Sequence, residues 1–337
     1  MMKKRHILHW AMGVMMTPLL GSCAADDVVG DPGREGCDII LGQPMTVTSA
    51  TRSADGRNSS NQFEQDEIVW LWANKSGGSE YIKAWQLTAK SGGSLIGSPQ
   101  YWPSDGSHLD VYALHGNFEN SQIREDATFW SSLSSLTHTV ETDQSSDEKK
   151  RLSDLLYSQT SSAVAPNTGS VQLTFNHLLA KITVKLDLTN SKGINEGELA
   201  NAEVKLTNIL PDATISNTLL TGNSGKTSTT GTRTTITSGK IPSSINSGDV
   251  VGSAIVPLQD FGGGKSTSSD DNVITITLSD NRSFSYKPTN SVALTAGNEY
   301  IYTLKIINGE LSVSSITVKD FTNETTQEKK WDIYAES

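Results

Sequence analysis

The chain has 337 residues, 35% of them hydrophobic, a formal net charge of −10 and only two cysteines. The negative balance disfavours nucleic acid and an anionic membrane face. Both cysteines, Cys23 and Cys37, fall at the start of the chain, where a disulfide would have no fold to staple.

Lys3, Lys4 and Arg5 precede a mostly apolar stretch from Ile7 to Leu20, interrupted by His9 and Pro18, which is the layout of a secretory signal. The stretch is shorter than the roughly 20 residues that a membrane-spanning helix needs. Leu20, Gly21, Ser22 and Cys23 resemble the bacterial lipobox, in which residues 1–22 are removed and Cys23 becomes the lipid-bearing first residue. An ordinary signal peptide with an incidental cysteine is the competing reading. Acyl chains contribute about 0.8 kcal/mol per buried methylene, so several of them on Cys23 would tether the protein to a membrane. Asp26 and Asp27 resemble the acidic pair that accompanies transport to the cell exterior in surface lipoproteins of Bacteroidetes-type bacteria.

Residues 24–38 are acidic, glycine-rich and without periodicity, and read as a flexible tether. Ile39, Leu41, Met45 and Val47 then alternate with polar neighbours, which predicts an extended strand, confined to a sheet edge by Pro44. The segment TSATRSADGRNSSNQ, residues 48–62, carries no strand or helix signal and is expected to be exposed and easily cut. Strand-like runs follow at 67–72, 80–87 and 108–115, bounded by Gly, Ser, Asn or Asp clusters, as in a β-sandwich. Asp147 to Tyr157 predicts one short helix with Leu152, Leu155 and Leu156 inward.

The strongest strand signal is VQLTFNHLLAKITVKLDL, residues 171–188. Its hydrophobic parity changes between Phe175 and Ile182, which predicts a bulge or bend near Asn176 to Ala180. Further runs at 202–210, 250–258, 272–278, 282–288 and 298–306 suit a second sandwich. The Ser/Thr/Gly-rich stretch 217–240 reads as a long exposed hairpin or a mobile loop. Turn residues at Pro166 to Gly169 place a domain boundary there. The expected organisation is a signal peptide at 1–22, a lipidated tether with a removable first strand at 23–52, and sandwiches at 53–168 and 169–337.

The chemistry-bearing motifs are missing. No HExxH, phosphate loop, dinucleotide fingerprint or GxSxG elbow occurs, so no catalytic residue, metal or cofactor is expected. Asp105, His108 and Asp110 are explained more simply by a turn entering a strand. His177, inside an apolar run, reads as a hydrogen-bonded core residue. Trp70, Trp72, Trp85 and Trp102 stand at strand spacing and read as core, although a sugar-stacking face is the alternative.

Taken in order, several features resemble one family: the lipobox, the Arg-containing polar segment after an early strand, YWP at Tyr101 to Pro103 followed by LDVYAL, DLLYS at 154–158, the VQLTFNHLLAKITVKL run, and LTAGNEYIYTLKI near the end. Together they look like the fimbrillins of Bacteroidales, the Mfa-like or type V pilins. That resemblance implies an all-β fold of two tandem transthyretin-like (Ig-like) sandwiches and a non-enzymatic subunit of a cell-surface fimbria. It implies a lipid anchor on Cys23 in the outer membrane, then a cut by an Arg-specific protease, with Arg52 and Ser53 flanking the favoured site and Arg34 and Arg57 as alternatives. The cut would discard the displaceable strand (Ile39, Leu41, Met45, Val47), and a strand from another fimbrial subunit would take its place. Burying four such side chains stabilises by about 6 to 12 kcal/mol, against about 5 to 15 kcal/mol for a whole domain. Phe321, Trp331 and Ile333 are the candidate groove fillers of a donor tail, a tail short enough that tip or accessory roles fit as well as stalk. A host glycan or protein receptor is the expected external partner. The alternative is a non-polymerising surface lipoprotein that binds glycans or host ligands.

Overall fold

The computed structural model describes residues 45–51, 63–91, 94–118, 123, 136–166, 170–215, 231–263, 271, 273–321 and 329–330. The chain is all-β. The first strands are β1 (Thr46–Thr51), β2 (Ile68–Lys75), β3 (Glu80–Ala89), β4 (Ser94–Ile96), β5 (Leu109–His115) and β6 (Thr137–Thr139), then helix α1 (Asp147–Ser153), β7 (Leu156–Gln159) and β8 (Ser170–His177). The later elements are β9 (Ala180–Leu186), helix α2 (Glu196–Leu199), β10 (Glu203–Ile209), β11 (Asp212–Thr214), β12 (Thr234–Lys240), β13 (Val250–Val256), β14 (Asp260–Phe261), β15 (Val273–Thr277), β16 (Ser283–Tyr286), β17 (Val292–Ala293), β18 (Asn298–Ile307), β19 (Glu310–Asp320) and β20 (Lys329–Lys330).

Seven strands close on themselves in the order β1-β4-β3-β2-β5-β7-β8, so the expected first layer pair forms a barrel. Period-two patterning explains its filling. Val69, Leu71 and Ala73 of β2, Leu109, Val111 and Ala113 of β5, and Val171, Leu173 and Phe175 of β8 belong to one core, while Gln172, Thr174 and Asn176 are exposed. The intervening residues Trp72, Leu114 and Tyr157 belong to a second, larger core shared with the later strands. That core lies between a four-stranded sheet, β12-β10-β15-β16, and a five-stranded one, β13-β9-β18-β19-β20. Strand β9 is buried on both faces, running parallel to β18 and antiparallel to β13.

Several expectations change in detail. The parity slip in 171–188 is a change of sheet, because β8 pairs with β1 and β7 whereas β9 pairs with β13 and β18. The chain passes from the barrel to the five-stranded sheet at Leu178 and Leu179, since the whole of β8 belongs to the barrel. Helix α1 ends at Ser153 rather than Tyr157: Leu155 and Leu156 leave it to be buried, and Leu152 is exposed. Its N-cap is Ser146, whose side chain accepts from the Lys149 N–H. Residues 234–240, read as part of a loop or hairpin, form β12. The first strand, described over Thr46–Thr51, has four of its six residues inside the segment read as carrying no strand signal.

Candidate functional site

Strand β1 is the stave that closes the barrel. It runs parallel to β8 over six residue pairs, from Thr46↔Ser170 to Thr51↔Phe175, and antiparallel to β4 at Val47↔Leu95 and Thr48↔Ser94. Just before it, the Met45 N–H donates to the Gln100 carbonyl at 2.8 Å. On its other edge β8 pairs with β7 only at Asn176 and His177. Among the described residues, the ladder partners of Ser170 to Phe175 are therefore those of β1 alone. Taking β1 away would open the barrel between β4 and β8 and leave most of β8 without a paired edge.

The composition of the stave is unusual for a closing strand. TVTSAT has two aliphatic residues, Val47 and Ala50, and the adjoining Met45 is buried in the barrel core. Burial of Met45 alone contributes about 1.5 to 3 kcal/mol. The ladder from the stave to β8 is parallel, a kind slightly weaker per residue than an antiparallel one. Of the predicted displaceable set, Met45 is in the core and Val47 holds a register position beside Val171. Ile39 and Leu41 lie outside the described residues, as do Cys23, Arg52, Ser53, Trp331 and Ile333.

Phe321 is not a free groove filler. It is buried, its N–H donates to the Gly297 carbonyl at 2.7 Å, and its ring stacks on His177 with centroids 4.0 Å apart. Lys181 Nζ lies 5.5 Å from the centroid of the same ring. His177 Nδ1 is 2.9 Å from Asp154 Oδ1, and Lys181 Nζ is 3.3 Å from Glu299 Oε1, which also accepts from the Thr183 hydroxyl at 2.6 Å. Burial opposes ionisation of Glu299, but Lys181, Thr183 and Lys319 outweigh it and hold the carboxyl below its ordinary range. These groups pin residue 321 beside the crossover, so any donated segment begins after Phe321.

Two other candidates resolve into structure. Asp105 is bound by Lys75 at 2.6 Å and by Ser107, which hold its carboxyl well below the usual range, and His108 is exposed: a turn entering β5. Trp72, Trp85 and Trp102 are buried, and Trp70 is half-buried against the larger core, so the four make no open sugar-stacking face. Among the described residues no group of His, Cys, Asp and Glu could hold a metal ion, and no helix is long and apolar enough to cross a membrane. Two features of the site were missed by sequence reasoning. One is the β-branched run TVTSAT, whose Thr and Val content was the available signal. The other is Phe63, which fills the barrel beside Phe175 and gave no local motif.

This all-β fold has counterparts. The chain belongs to the fimbrillin-like family, whose model matches residues 51–320. Among solved structures it is similar to a candidate cell-adhesion protein of Bacteroides uniformis ATCC 8492, at 19% identity over 83% of this chain and 98% of that one, with a TM-score of 0.56. A candidate cell-adhesion protein of Bacteroides ovatus ATCC 8483 is similar at 14% identity over 84% and 99% of the two chains, also with a TM-score of 0.56. These two likenesses establish the fold. No curated protein matches the chain.

Proposed function

We propose that this chain is a structural, non-catalytic subunit of a cell-surface fimbria, exported as a lipoprotein on Cys23, trimmed after Arg52 by an Arg-specific protease, and assembled by replacing β1 with a strand of another subunit. The observation that carries the reading is the position of β1. It closes the barrel on both sides and ends at Thr51, one residue before Arg52. A cut there separates the rest of the barrel, in one event, from both the closing strand and Cys23. The family match, residues 51–320, covers most of the part that would remain. Once severed, β1 would be held by non-covalent contacts alone, among them its ladders to β8 and β4, and could be exchanged. The opened edge is the kind of surface that β-augmentation fills. The partners are then sibling subunits, the protease, the outer membrane before processing, and a host glycan or protein receptor at the exposed fimbrium. Donor residues in this chain would be Trp331 and Ile333.

The test is proteolytic. The purified precursor, treated with an Arg-specific protease, should acquire Ser53 as its first residue and form high-mass, detergent-resistant assemblies, while Arg52→Ala should stay monomeric. Assembly of the Arg52→Ala variant at the wild-type rate, with no cut at Arg34 or Arg57, would remove cleavage from the mechanism.

A further inference from the structure

We propose that residues 136–155 form a clasp that makes the barrel and the two sheets of the later strands open as one cooperative body, with Gln144 as its catch. The segment lies between β5 and β7 in the chain, yet its main chain is bonded to the later strands. Strand β6 pairs with β11, which follows β10, from Thr137↔Thr214 to Thr139↔Asp212. On either side of this pairing the Ile215 N–H donates to the Leu136 carbonyl and the Val140 N–H to the Pro211 carbonyl, both at 3.0 Å. Leu136 and Val140 are buried in the larger core, together with Trp72 and Leu114 of the barrel and Val204 and Ile255 of the later sheets.

Gln144 is fully buried and joins the two sheets. Its main-chain N–H donates to the Thr237 carbonyl of β12 at 2.7 Å, and the Thr237 N–H donates to the Thr142 carbonyl at 2.8 Å. Its side chain turns to β13, where Nε2 donates to the Ile255 carbonyl at 2.9 Å and Oε1 accepts from the Ile255 N–H at 2.8 Å. Strands β12 and β13 end their respective sheets. One residue therefore bonds both edges, with its backbone on one side and its amide on the other. A carboxamide offers a donor and an acceptor side by side, so it meets the edge of β13 as the peptide groups of a neighbouring strand would.

The other end of the clasp is fastened to the barrel. Ser153, the last residue of α1, is buried and pins the two limbs of the segment together: its carbonyl is 2.8 Å from His138 Nε2, and its hydroxyl accepts from the Glu141 N–H at 2.9 Å. His138 Nδ1 in turn accepts from the N–H of Asn117, just beyond β5, at 3.0 Å. Arg151 Nε lies 3.6 Å from Oε1 of Glu67, just ahead of β2, and Asp154 Oδ1 lies 2.9 Å from Nδ1 of His177, which ends β8. The Leu155 carbonyl accepts from the Leu178 N–H at 2.9 Å, at the point where the chain leaves the barrel. Opening the barrel without the two sheets, or the reverse, thus strips the clasp from one of its ends and leaves buried main-chain groups without partners.

Native-state hydrogen exchange of the full chain in rising urea tests the clasp, because amides that open together converge on one isotherm. In the wild type the slowest amides of β2 and β5 should converge with those of β9 and β18. Gln144→Leu keeps the bulk of the side chain but offers Ile255 neither donor nor acceptor. The two sets should then separate, with opening constants roughly ten-fold or more apart, the loss expected when buried main-chain groups go unpaired. Ile276→Val is the control: it trims the core on β15, which pairs with β10 and β16, and should raise both opening constants by the same factor. If Gln144→Leu does not fold, Gln144→Glu takes its place, since it keeps the acceptor for the Ile255 N–H and, ionised, loses the donor to the carbonyl. Separate isotherms in the wild type overturn the clasp. So do coincident isotherms in the Gln144 variant, or a split that Ile276→Val produces as readily.

Discussion

His138 is a fully buried imidazole on β6, held between two main-chain groups: its Nε2 is 2.8 Å from the Ser153 carbonyl and its Nδ1 accepts from the Asn117 N–H at 3.0 Å. Those contacts place the proton on Nε2 and leave the ring neutral. Burial lowers its pKa from 6.5 to about 4; the Ser153 carbonyl, Asp154 and Asp212 pull the other way, and His115 reinforces the drop. Between pH 6.5 and about 4 the unfolded chain therefore takes up a proton that the folded chain refuses, so stability falls as pH falls through that window and levels off below it. The full effect is about 3 kcal/mol. His138→Gln can keep one donor and one acceptor without titrating. Urea denaturation of this variant between pH 7 and pH 4 should show a flatter pH dependence than the wild type, and an unchanged slope would assign the acid sensitivity to other groups. His177 was legible as a hydrogen-bonded core residue, because a lone histidine in an apolar run needs a partner. That the partner is Asp154 was not legible, since sequence separation hides tertiary pairs.

Strands β12 and β13 are edge strands of opposite sheets, and they approach through glycine. A Cβ at Gly239 would sit 2.5 Å from the Val251 carbonyl oxygen and 2.7 Å from the Gly252 Cα, both main-chain atoms that cannot swing away. Gly239→Val should therefore separate the sheets locally at a cost of about 1 to 3 kcal/mol. The measurement is the urea midpoint, and a midpoint equal to the wild type would mean that the sheet edge relaxes freely. At this scale the sequence was most readable where one face meets one core: β2, β3, β5, β10, β15 and β18 all fall within their predicted runs to a few residues. It was least readable where a run serves two cores, as in β8 and β9, since a change of sheet and a bulge produce the same slip in parity. Strand β19 carried a signal that was overlooked, the Asn308-Gly309 pair, whose positive φ values of 51° and 89° make the two-residue hairpin to β18. Strand β1 continues past Val47, where the apolar alternation stops, into a Thr-rich stretch that alternation alone does not mark.

Across the whole molecule, the slot left by β1 and the segment that follows Phe321 are the two ends of one assembly hypothesis. Trp331→Asp combined with Ile333→Asp should leave cleavage at Arg52 intact and stop the cut chain from forming homopolymers, as read by gel filtration in detergent. Homopolymers in undiminished yield would place the donor elsewhere. The overall architecture was legible because composition and turn spacing specify short strands. Closure of the barrel was not, because it depends on which two edges β1 bridges. The mixed neighbourhood of β1, parallel to β8 on one side and antiparallel to β4 on the other, has a last consequence. Hydrogen-bond spacing differs between the two kinds of ladder, so an incoming chain laid in backwards would mismatch both walls at once. Every insertion must then point the same way, and a filament grown through this slot has distinguishable head and tail, with extension open at only one of them for a given subunit.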